Sequence, residues 1–288
     1  MFVVNNTIAS FKDYFTDRLK GIYEKGEIEQ LFNLTFFYFK SWDKISLRMN
    51  ETSLLSESEL LELRNVVKRL VNSEPIQHIF SKTEFFDLVF RVNSSVLVPR
   101  QETEELVDLI LRNSKGANSL LDIGTGSGCI PIAIASNKSN IKVSAIDVSE
   151  AAIIVAQKNA EHNNVDLSLY CDDILSIKDL NSIIPEAINI IVSNPPYITM
   201  KEKKQMHKNV LDFDPHLALF VENDSPLIFY DKISDLAYHK LPVGGELYFE
   251  INEYYGKKTL ELVRSFKFSK VSLIQDLNGK DRFIYAVK

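Results

Sequence analysis

The sequence LLDIGTGSGCI, residues 120–130, places three glycines directly after a short apolar segment. The apolar segment is typical of a buried strand, and a helix is expected to begin near Ile130. Because glycine has no Cβ, the backbone N–H groups of such a turn can approach a ligand closely. In a doubly wound sheet, turns of this kind lie at the carboxyl ends of strands, where ligands bind. The stretch therefore predicts a strand–turn–helix unit with a ligand site at the turn.

Strands and helices alternate around this unit over residues 101–288. We expect strands that end near positions 123, 148, 174 and 193, with helices between them, one of which is capped by Ser149. Three further strands are expected in GELYFEIN, KVSLIQD and RFIYAVK, of which the last two form an antiparallel pair. Apolar strands that alternate with helices predict an α/β fold, a Rossmann-like, doubly wound and mostly parallel seven-stranded sheet.

The first 74 residues have a different character, since they contain no proline and their apolar side chains recur at helical spacing. Ser56 and Glu59 have the spacing of a capping box, which predicts the start of a helix. Pro75 is expected to stop that helix. Residues 1–74 are therefore predicted to form a helical bundle domain.

A segment rich in Phe and Val lies between the two domains. Residues 75–100 predict a β-hairpin linker that turns at residues 93–95. The domain boundaries that we expect are thus 1–74 for the bundle, 75–100 for the linker and 101–288 for the α/β domain.

The composition limits the possible functions. The chain has 288 residues, of which 45% are hydrophobic and 25% charged, as in an ordinary globular protein. A net charge of −6 gives no general affinity for nucleic-acid phosphates. Two cysteines and five histidines in no ligand pattern predict no metal site, and the cysteines fit a reducing compartment. No apolar stretch reaches the roughly 20 residues that a membrane helix needs, and the polar start is unlike a signal peptide. We therefore expect a cytoplasmic protein without membrane contact.

The glycine spacing and a downstream carboxylate narrow the kind of ligand. Gly124, Gly126 and Gly128 have the spacing G-x-G-x-G, which differs from the G-x-G-x-x-G dinucleotide fingerprint. Asp147 is expected at the end of the second strand, where a carboxylate can accept hydrogen bonds from both hydroxyls of a ribose. The structural alternative is a tight turn followed by an acidic helix start. Together these residues favour a nucleoside-containing cofactor, either a nicotinamide dinucleotide or S-adenosylmethionine, and the spacing favours the latter.

The sequence NPPY, residues 194–197, follows the fourth expected strand and so lies at the same edge of the sheet. Its two prolines fix two φ angles and remove two N–H donors. The Asn194 side-chain oxygen and the Pro195 carbonyl then form a rigid pair of acceptors that suits a planar –NH2 group. Tyr197 is expected to supply a flat wall. Although a rigid loop with a buried tyrosine is the structural alternative, the combination with the glycine turn resembles methyltransferases that act on an amide or exocyclic nitrogen.

Further segments resemble one family, the release-factor glutamine methyltransferases of the HemK/PrmC type. The similar segments are residues 75–108, LLDIGTGSGCIPIAIA, AIDVSEAAIIVAQKNAEHN, VSNPPYI, DPHLALF, LIFYDKI, GGELYFEI and DLNGKDRF. One departure is Gln101, which stands where the family has proline. The resemblance implies methylation of the side-chain amide nitrogen of the glutamine in the Gly-Gly-Gln motif of class-one peptide chain release factors. It also implies S-adenosyl-L-methionine as cofactor and a helical domain that binds the factor.

The resemblance also assigns residues to the site. The implied cofactor contacts are Gly124, Thr125, Gly126, Ser127, Gly128, Asp147, Ile174 and Asn194. The implied substrate contacts are Asn194, Pro195, Pro196 and Tyr197, and among these Asn194, Pro195 and Tyr197 are expected to be catalytic.

Two other classes of function stay open at this point. The same turn can hold the exocyclic amine of adenine or cytosine in DNA or RNA, but such an enzyme needs a basic groove and usually a domain that reads bases. The negative net charge argues against direct nucleic-acid binding. The second alternative is a non-catalytic binding module that kept the fold of the enzymes.

Overall fold

The computed structural model describes residues 5–114, 116–205 and 208–288, and these form two compact units. The first unit runs to Ser81 and includes the short segment that ends at Phe213. The second unit comprises the other described residues from Lys82 onward.

The first unit is helical. Its helices are α1 (Ile8–Leu19), α2 (Lys25–Lys40), α3 (Lys44–Met49), α4 (Glu57–Val71), α5 (Ile76–Phe80) and, later in the chain, α9 (Lys208–Phe213). Helix α4 begins at the expected capping box, since the Ser56 hydroxyl accepts from the Glu59 N–H while the Glu59 carboxylate accepts from the Ser56 N–H. The core contains fully buried aromatic rings, and those of Phe15 and Phe32 meet edge to face with centroids 5.3 Å apart. The predicted N-terminal helical bundle is confirmed.

The β-hairpin is present, but its turn is not at residues 93–95. Its strands are β1 (Lys82–Phe85) and β2 (Leu88–Arg91), and the turn residues Phe86 and Asp87 have φ angles of 50° and 62°. Both φ angles are positive, as a two-residue hairpin turn that follows the twist of its strands requires. Asn93 instead forms a local turn outside the hairpin, since its Oδ1 accepts from the Ser95 N–H at 2.9 Å. Residues 76–80, expected in the linker, form helix α5.

The second unit contains the remaining elements. Its other strands are β3 (Ser119–Ile123), β4 (Lys142–Asp147), β5 (Leu167–Cys171), β6 (Ile190–Ser193), β7 (Ile198–Thr199), β8 (Phe220–Val221), β9 (Glu246–Glu250), β10 (Lys270–Gln275) and β11 (Asp281–Val287). Its helices are α6 (Gln101–Asn113), α7 (Cys129–Asn137), α8 (Glu150–His162), α10 (His216–Leu219), α11 (Ile228–Lys240) and α12 (Gly256–Ser265). None of the helices in the described ranges is long and apolar enough to span a bilayer.

Seven strands form one sheet in the order β10-β11-β9-β6-β3-β4-β5. The contacts from β9 to β5 are parallel, while β11 runs antiparallel to both of its neighbours. The predicted Rossmann-like, mostly parallel seven-stranded sheet is therefore confirmed, including the antiparallel pairing of the last two strands.

Helices cover both faces of this sheet, which buries its central strands completely. Every residue of β3 and β6 is buried. Since successive strand residues point to opposite faces, Leu121 belongs to one apolar cluster and Leu120 to the other. This rigid centre fixes the positions at which the strands end.

Strand β5 is shorter than expected, because it ends at Cys171 rather than near residue 174. The Asp173 carboxylate accepts a hydrogen bond from the Leu175 N–H at 3.0 Å. Such a side-chain contact forms a turn that competes with strand pairing. Ile174 consequently lies in a loop beyond the strand.

Candidate active site

The strand register brings the predicted motifs to one edge of the sheet. Ile123 in β3 is paired with Ile146 in β4 and with Ser193 in β6. The residues that follow these strands, Gly124 and Asn194, therefore leave the sheet side by side, next to the carboxyl end of β4. This edge is where open α/β sheets bind their ligands.

A cavity of about 330 Å³ lies at this edge. Nine of the residues assigned from the sequence line it, namely Gly124, Thr125, Gly126, Ser127, Asp147, Ile174, Asn194, Pro195 and Pro196. Gly128 and Tyr197 do not line it. The cavity therefore combines the glycine turn, the carboxylate and the Asn-Pro-Pro turn in one space.

The glycine turn is held from two sides. Gly126 has a φ of 54° and donates its N–H to the Asp147 Oδ2 at 2.8 Å. The buried Asn159 donates from Nδ2 to the Ser127 carbonyl at 2.8 Å. The Asn159 side chain also exchanges hydrogen bonds with the backbone N–H and carbonyl of Arg91, at 2.7 and 3.0 Å. The turn is therefore tied to both α8 and β2.

Gly128 has a packing role instead of the expected position in the cavity lining. Its φ is 80°, and a Cβ there would lie 2.9 Å from Ile132 Cδ1 and 3.2 Å from Ala156 Cβ. Glycine is thus required for the left-handed conformation that starts α7 and for the close approach of α7 to α8.

Asp147 keeps acceptor capacity for a ligand. Its Oδ1 accepts from the Ser149 N–H at 2.9 Å, and its Oδ2 accepts from Gly126. An ionised carboxylate has about four lone-pair positions, so that two remain for other donors. The carboxylate at the end of β4 and the apolar Ile174 in the same cavity suit a ribose and an adenine ring, respectively.

The Asn-Pro-Pro-Tyr turn is anchored by groups behind it. The Asn194 Nδ2 lies 3.5 Å from the Thr103 Oγ1. Tyr197, expected to form a wall of the site, instead points behind the turn, where its hydroxyl donates to the Glu250 Oε1 at 3.4 Å. Burial raises the pKa of Tyr197, so the hydroxyl keeps its proton. The Tyr197 carbonyl also accepts from the Asn252 Nδ2 at 3.1 Å.

Several lining residues were not predicted from the sequence. Arg100 lines the cavity and forms an ion pair with the buried Asp214 at 2.8 Å. The segment after Asp214 contributes Pro215 and Leu217 to the lining. This segment belongs to DPHLALF, which resembles the family in sequence. The resemblance alone assigns no role in the site to its residues. Thr103 in α6 also lines the cavity, and behind it lies Glu250, the last residue of β9, which does not line the cavity and accepts from the Thr103 hydroxyl.

Asp122 provides a test of how the stability of the fold depends on pH. Asp122 lies in β3 just before the glycine turn. Burial raises the pKa of its carboxyl to about 7. The Asp147 charge also raises this pKa, whereas the Thr125 hydroxyl lowers it. The pKa of Asp122 in the folded protein lies above its ordinary value. The contribution of the protonated carboxyl to the free energy of unfolding is therefore complete below about pH 4 and is lost as the pH rises through 7. We expect the melting temperature of the parent, minus that of Asp122→Asn, to fall steadily between about pH 4 and 8.

Asp166→Asn provides the control, because Asp166 is exposed at the opposite edge of the sheet. The melting temperature of the parent minus that of Asp166→Asn, measured by thermal unfolding in matched buffers, should fall much less over this pH range than the same difference for Asp122→Asn, because Asp166 is exposed. A constant difference for Asp122→Asn would contradict the assigned titration.

In the described part of the chain, no group of three or more His, Cys, Asp or Glu side chains is arranged to hold a metal ion.

Comparisons with known proteins identify the class of protein to which this fold belongs. Residues 101–213 match the model "Methyltransferase small domain", and residues 13–80 match "PrmC N-terminal domain". A methyltransferase from Pyrococcus furiosus has a similar fold, with a TM-score of 0.52 at 19% identity over 78% of this chain and 98% of that chain. The fold and the family models define a Rossmann-like class I methyltransferase.

Two relatives specify the family. The release factor glutamine methyltransferase of Flavobacterium psychrophilum is 44% identical over 96% of this chain and 98% of its own length. That of Bacteroides thetaiotaomicron is 41% identical over 95% of this chain and 97% of its own length. The chain belongs to the release factor glutamine methyltransferase family.

Proposed function

We propose that this protein methylates the side-chain amide nitrogen of the glutamine in the Gly-Gly-Gln motif of class-one peptide chain release factors, with S-adenosyl-L-methionine as methyl donor. The observation that carries the proposal is the shared cavity. The Asn-Pro-Pro turn lines the same space as the glycine turn and Asp147, in a chain that belongs to this family. The proposed substrate implies a cytoplasmic location and a role in translation termination.

The Asn194 turn addresses the main chemical difficulty of this reaction. An amide nitrogen is a poor nucleophile because its lone pair is delocalised into the carbonyl. The Asn194 Oδ1 and the Pro195 carbonyl would accept hydrogen bonds from the two N–H groups of the glutamine, which raises the electron density on its nitrogen. Since positive charge develops on this nitrogen during the reaction, both contacts strengthen in the transition state. The rigid prolines keep the acceptors in place, so little reorganisation is needed.

The cofactor would occupy the adjoining part of the cavity. Bound S-adenosylmethionine would supply an electrophilic methyl group on its sulfonium. The Asp147 carboxylate would accept hydrogen bonds from the ribose hydroxyls, and Ile174 would contact the adenine. The backbone of Gly124–Ser127 would lie against the cofactor, while the N–H groups of Gly124 and Gly126 stay donated to the Ile146 carbonyl and the Asp147 carboxylate.

Transfer of labelled methyl groups tests this proposal. The enzyme and labelled S-adenosylmethionine are incubated separately with a release factor, with the same factor carrying alanine in place of the Gly-Gly-Gln glutamine, and with DNA or RNA. We expect label only in the unmodified factor, and mass spectrometry should locate it on that glutamine. Label in nucleic acid, with none in the factor, would overturn the proposal and favour the nucleic-acid alternative.

We also propose that the helical domain, residues 1–74, binds the release factor. Its surface carries exposed apolar side chains that do not pack in the helical core, including Leu54 at 75% and Leu61 at 72% exposure. Large apolar side chains on a surface can be buried against a partner, which contributes to binding. The expected partner surface on this domain is therefore partly apolar.

Replacing Leu54 and Leu61 together with serine tests this role. We expect the KM for the intact factor to rise about tenfold, because apolar surface that the factor would bury has been removed. The kcat/KM for a short Gly-Gly-Gln peptide should stay unchanged. Leu277→Ser removes a residue that is 89% exposed in the other unit and should change neither value. An equal effect on factor and peptide would contradict a binding role for the domain.

A further inference from the structure

A buried hydrogen-bond chain leads from β9 to the Asn194 turn. Glu250, the last residue of β9, is 1% exposed, and Thr103 in α6 is 3% exposed. The Thr103 hydroxyl donates to the Glu250 Oε2 at 2.8 Å. The Asn194 Nδ2 lies 3.5 Å from the same hydroxyl oxygen. Thr103 lines the cavity, and neither Thr103 nor Glu250 has a role in the function derived above.

The chemistry of the three groups fixes the direction of each hydrogen bond. The Thr103 hydroxyl has a single proton, which it donates to the Glu250 Oε2. The proton of Thr103 is therefore committed to Glu250. The lone pairs of the Thr103 oxygen remain free to accept, and the amide NH2 of Asn194 is the donor that faces them.

Glu250 is itself held in place, which makes it a fixed end of the chain. Its Oε1 accepts from the Tyr197 hydroxyl at 3.4 Å. Burial raises the pKa of Glu250, while the Thr103 hydroxyl and the Arg282 charge oppose that effect. Arg282 is anchored in turn by the buried Asp276 at 3.1 Å.

We infer that Thr103, with its proton held by Glu250, is a positioning residue that turns the Asn194 NH2 away from the substrate and leaves the Asn194 oxygen facing it. The inference rests on the proposed function. Oxygen and nitrogen of an asparagine amide exchange places by a half-turn about one bond, and both orientations have similar shapes. In the wrong orientation, an NH2 would meet the substrate NH2, and two donors would face each other. The chain from Glu250 removes this ambiguity before the substrate arrives.

The first experiment compares Thr103→Val with Thr103→Ser. Valine keeps the shape of threonine and lacks the hydroxyl, whereas serine keeps the hydroxyl and loses a methyl group. We expect kcat for methyl transfer to fall about tenfold or more in Thr103→Val and to stay within about threefold of the parent in Thr103→Ser. The KM for S-adenosylmethionine should differ little between the two variants. Equal kcat values in both variants would overturn the inference.

A double-variant cycle separates a positioning role from a structural one. In an Asn194→Ala background no amide remains to be oriented, so adding Thr103→Val should lower kcat by less than about twofold. A further tenfold loss in that background would show that Thr103 acts independently of Asn194, and would also overturn the inference.

A spectroscopic measurement on the free protein keeps the inference separate from the proposed function. The side-chain NH2 signals of Asn194, assigned by their loss in Asn194→Ala, should shift in Thr103→Val and remain near the parent positions in Thr103→Ser. Unchanged signals in Thr103→Val would overturn the positioning role. Absence of methyl transfer by the parent enzyme would instead overturn the proposed function, while the NMR result would still decide the orientation of the amide.

Discussion

Replacing Asn194 with alanine is expected to lower kcat for methyl transfer to the release factor about 100-fold or more. The variant loses one of the two acceptors that would face the glutamine NH2, and this contact strengthens as charge develops on the nitrogen. Affinity for S-adenosylmethionine should remain nearly intact, because Asp147 and the glycine turn are unchanged. Single-turnover rates and equilibrium binding of the cofactor measure the two effects separately.

Asn140→Ala is the matched control for this variant. Asn140 is an exposed asparagine that precedes β4, at the opposite edge of the sheet from the cavity. It should leave both kcat and cofactor affinity at parent values. Equal turnover in Asn194→Ala and the parent would contradict the catalytic role of the turn.

The second large effect is expected from Asp147→Ala, which should raise the dissociation constant for S-adenosylmethionine about 10- to 100-fold. The substitution removes the carboxylate that would bind the ribose, and hydrogen bonds to a charged group are among the stronger polar contacts. It also removes the acceptor that holds the Gly126 N–H in the glycine turn. At saturating cofactor, kcat should fall much less than affinity. Isothermal titration and initial-rate kinetics give the two quantities.

Asp166→Ala serves as the control here, since Asp166 is exposed just before β5 and far from the carboxyl edge of the sheet. Its affinity for the cofactor should equal that of the parent. If Asp147→Ala bound the cofactor as tightly as Asp166→Ala, the assignment of Asp147 to the ribose would be wrong.

Local patterns were sufficient to predict most of the sheet and much of the cavity. Capping residues, glycine turns and apolar runs are encoded within a few residues, so Ser56, Ser149 and the Gly124–Gly128 turn could be placed from the sequence. Because parallel strands end at one edge, the glycine turn, Asp147 and Asn194 could also be grouped without a structure.

The features that were missed depend on residues far apart in the chain. Thr103 and Glu250 are 147 positions apart, and no local pattern links them. The hairpin turn was misplaced because Phe86 and Asp87 carry no glycine or asparagine signal. The Glu104 carboxylate in α6 accepts from the Phe86 N–H at 2.7 Å and so supports a backbone conformation that the local sequence does not favour. Tyr197 does not line the cavity for a related reason, since its hydroxyl and its carbonyl contact the distant residues Glu250 and Asn252.

The hydrogen bonds of Asn159 have a thermodynamic consequence for ligand binding. Because this one amide ties the Ser127 carbonyl to the backbone of Arg91, the turn is already ordered in the free protein. Ligand binding should therefore cost little conformational entropy in the glycine turn. The heat-capacity change on binding should then reflect the apolar walls that the ligand covers, with no contribution from ordering of the glycine turn.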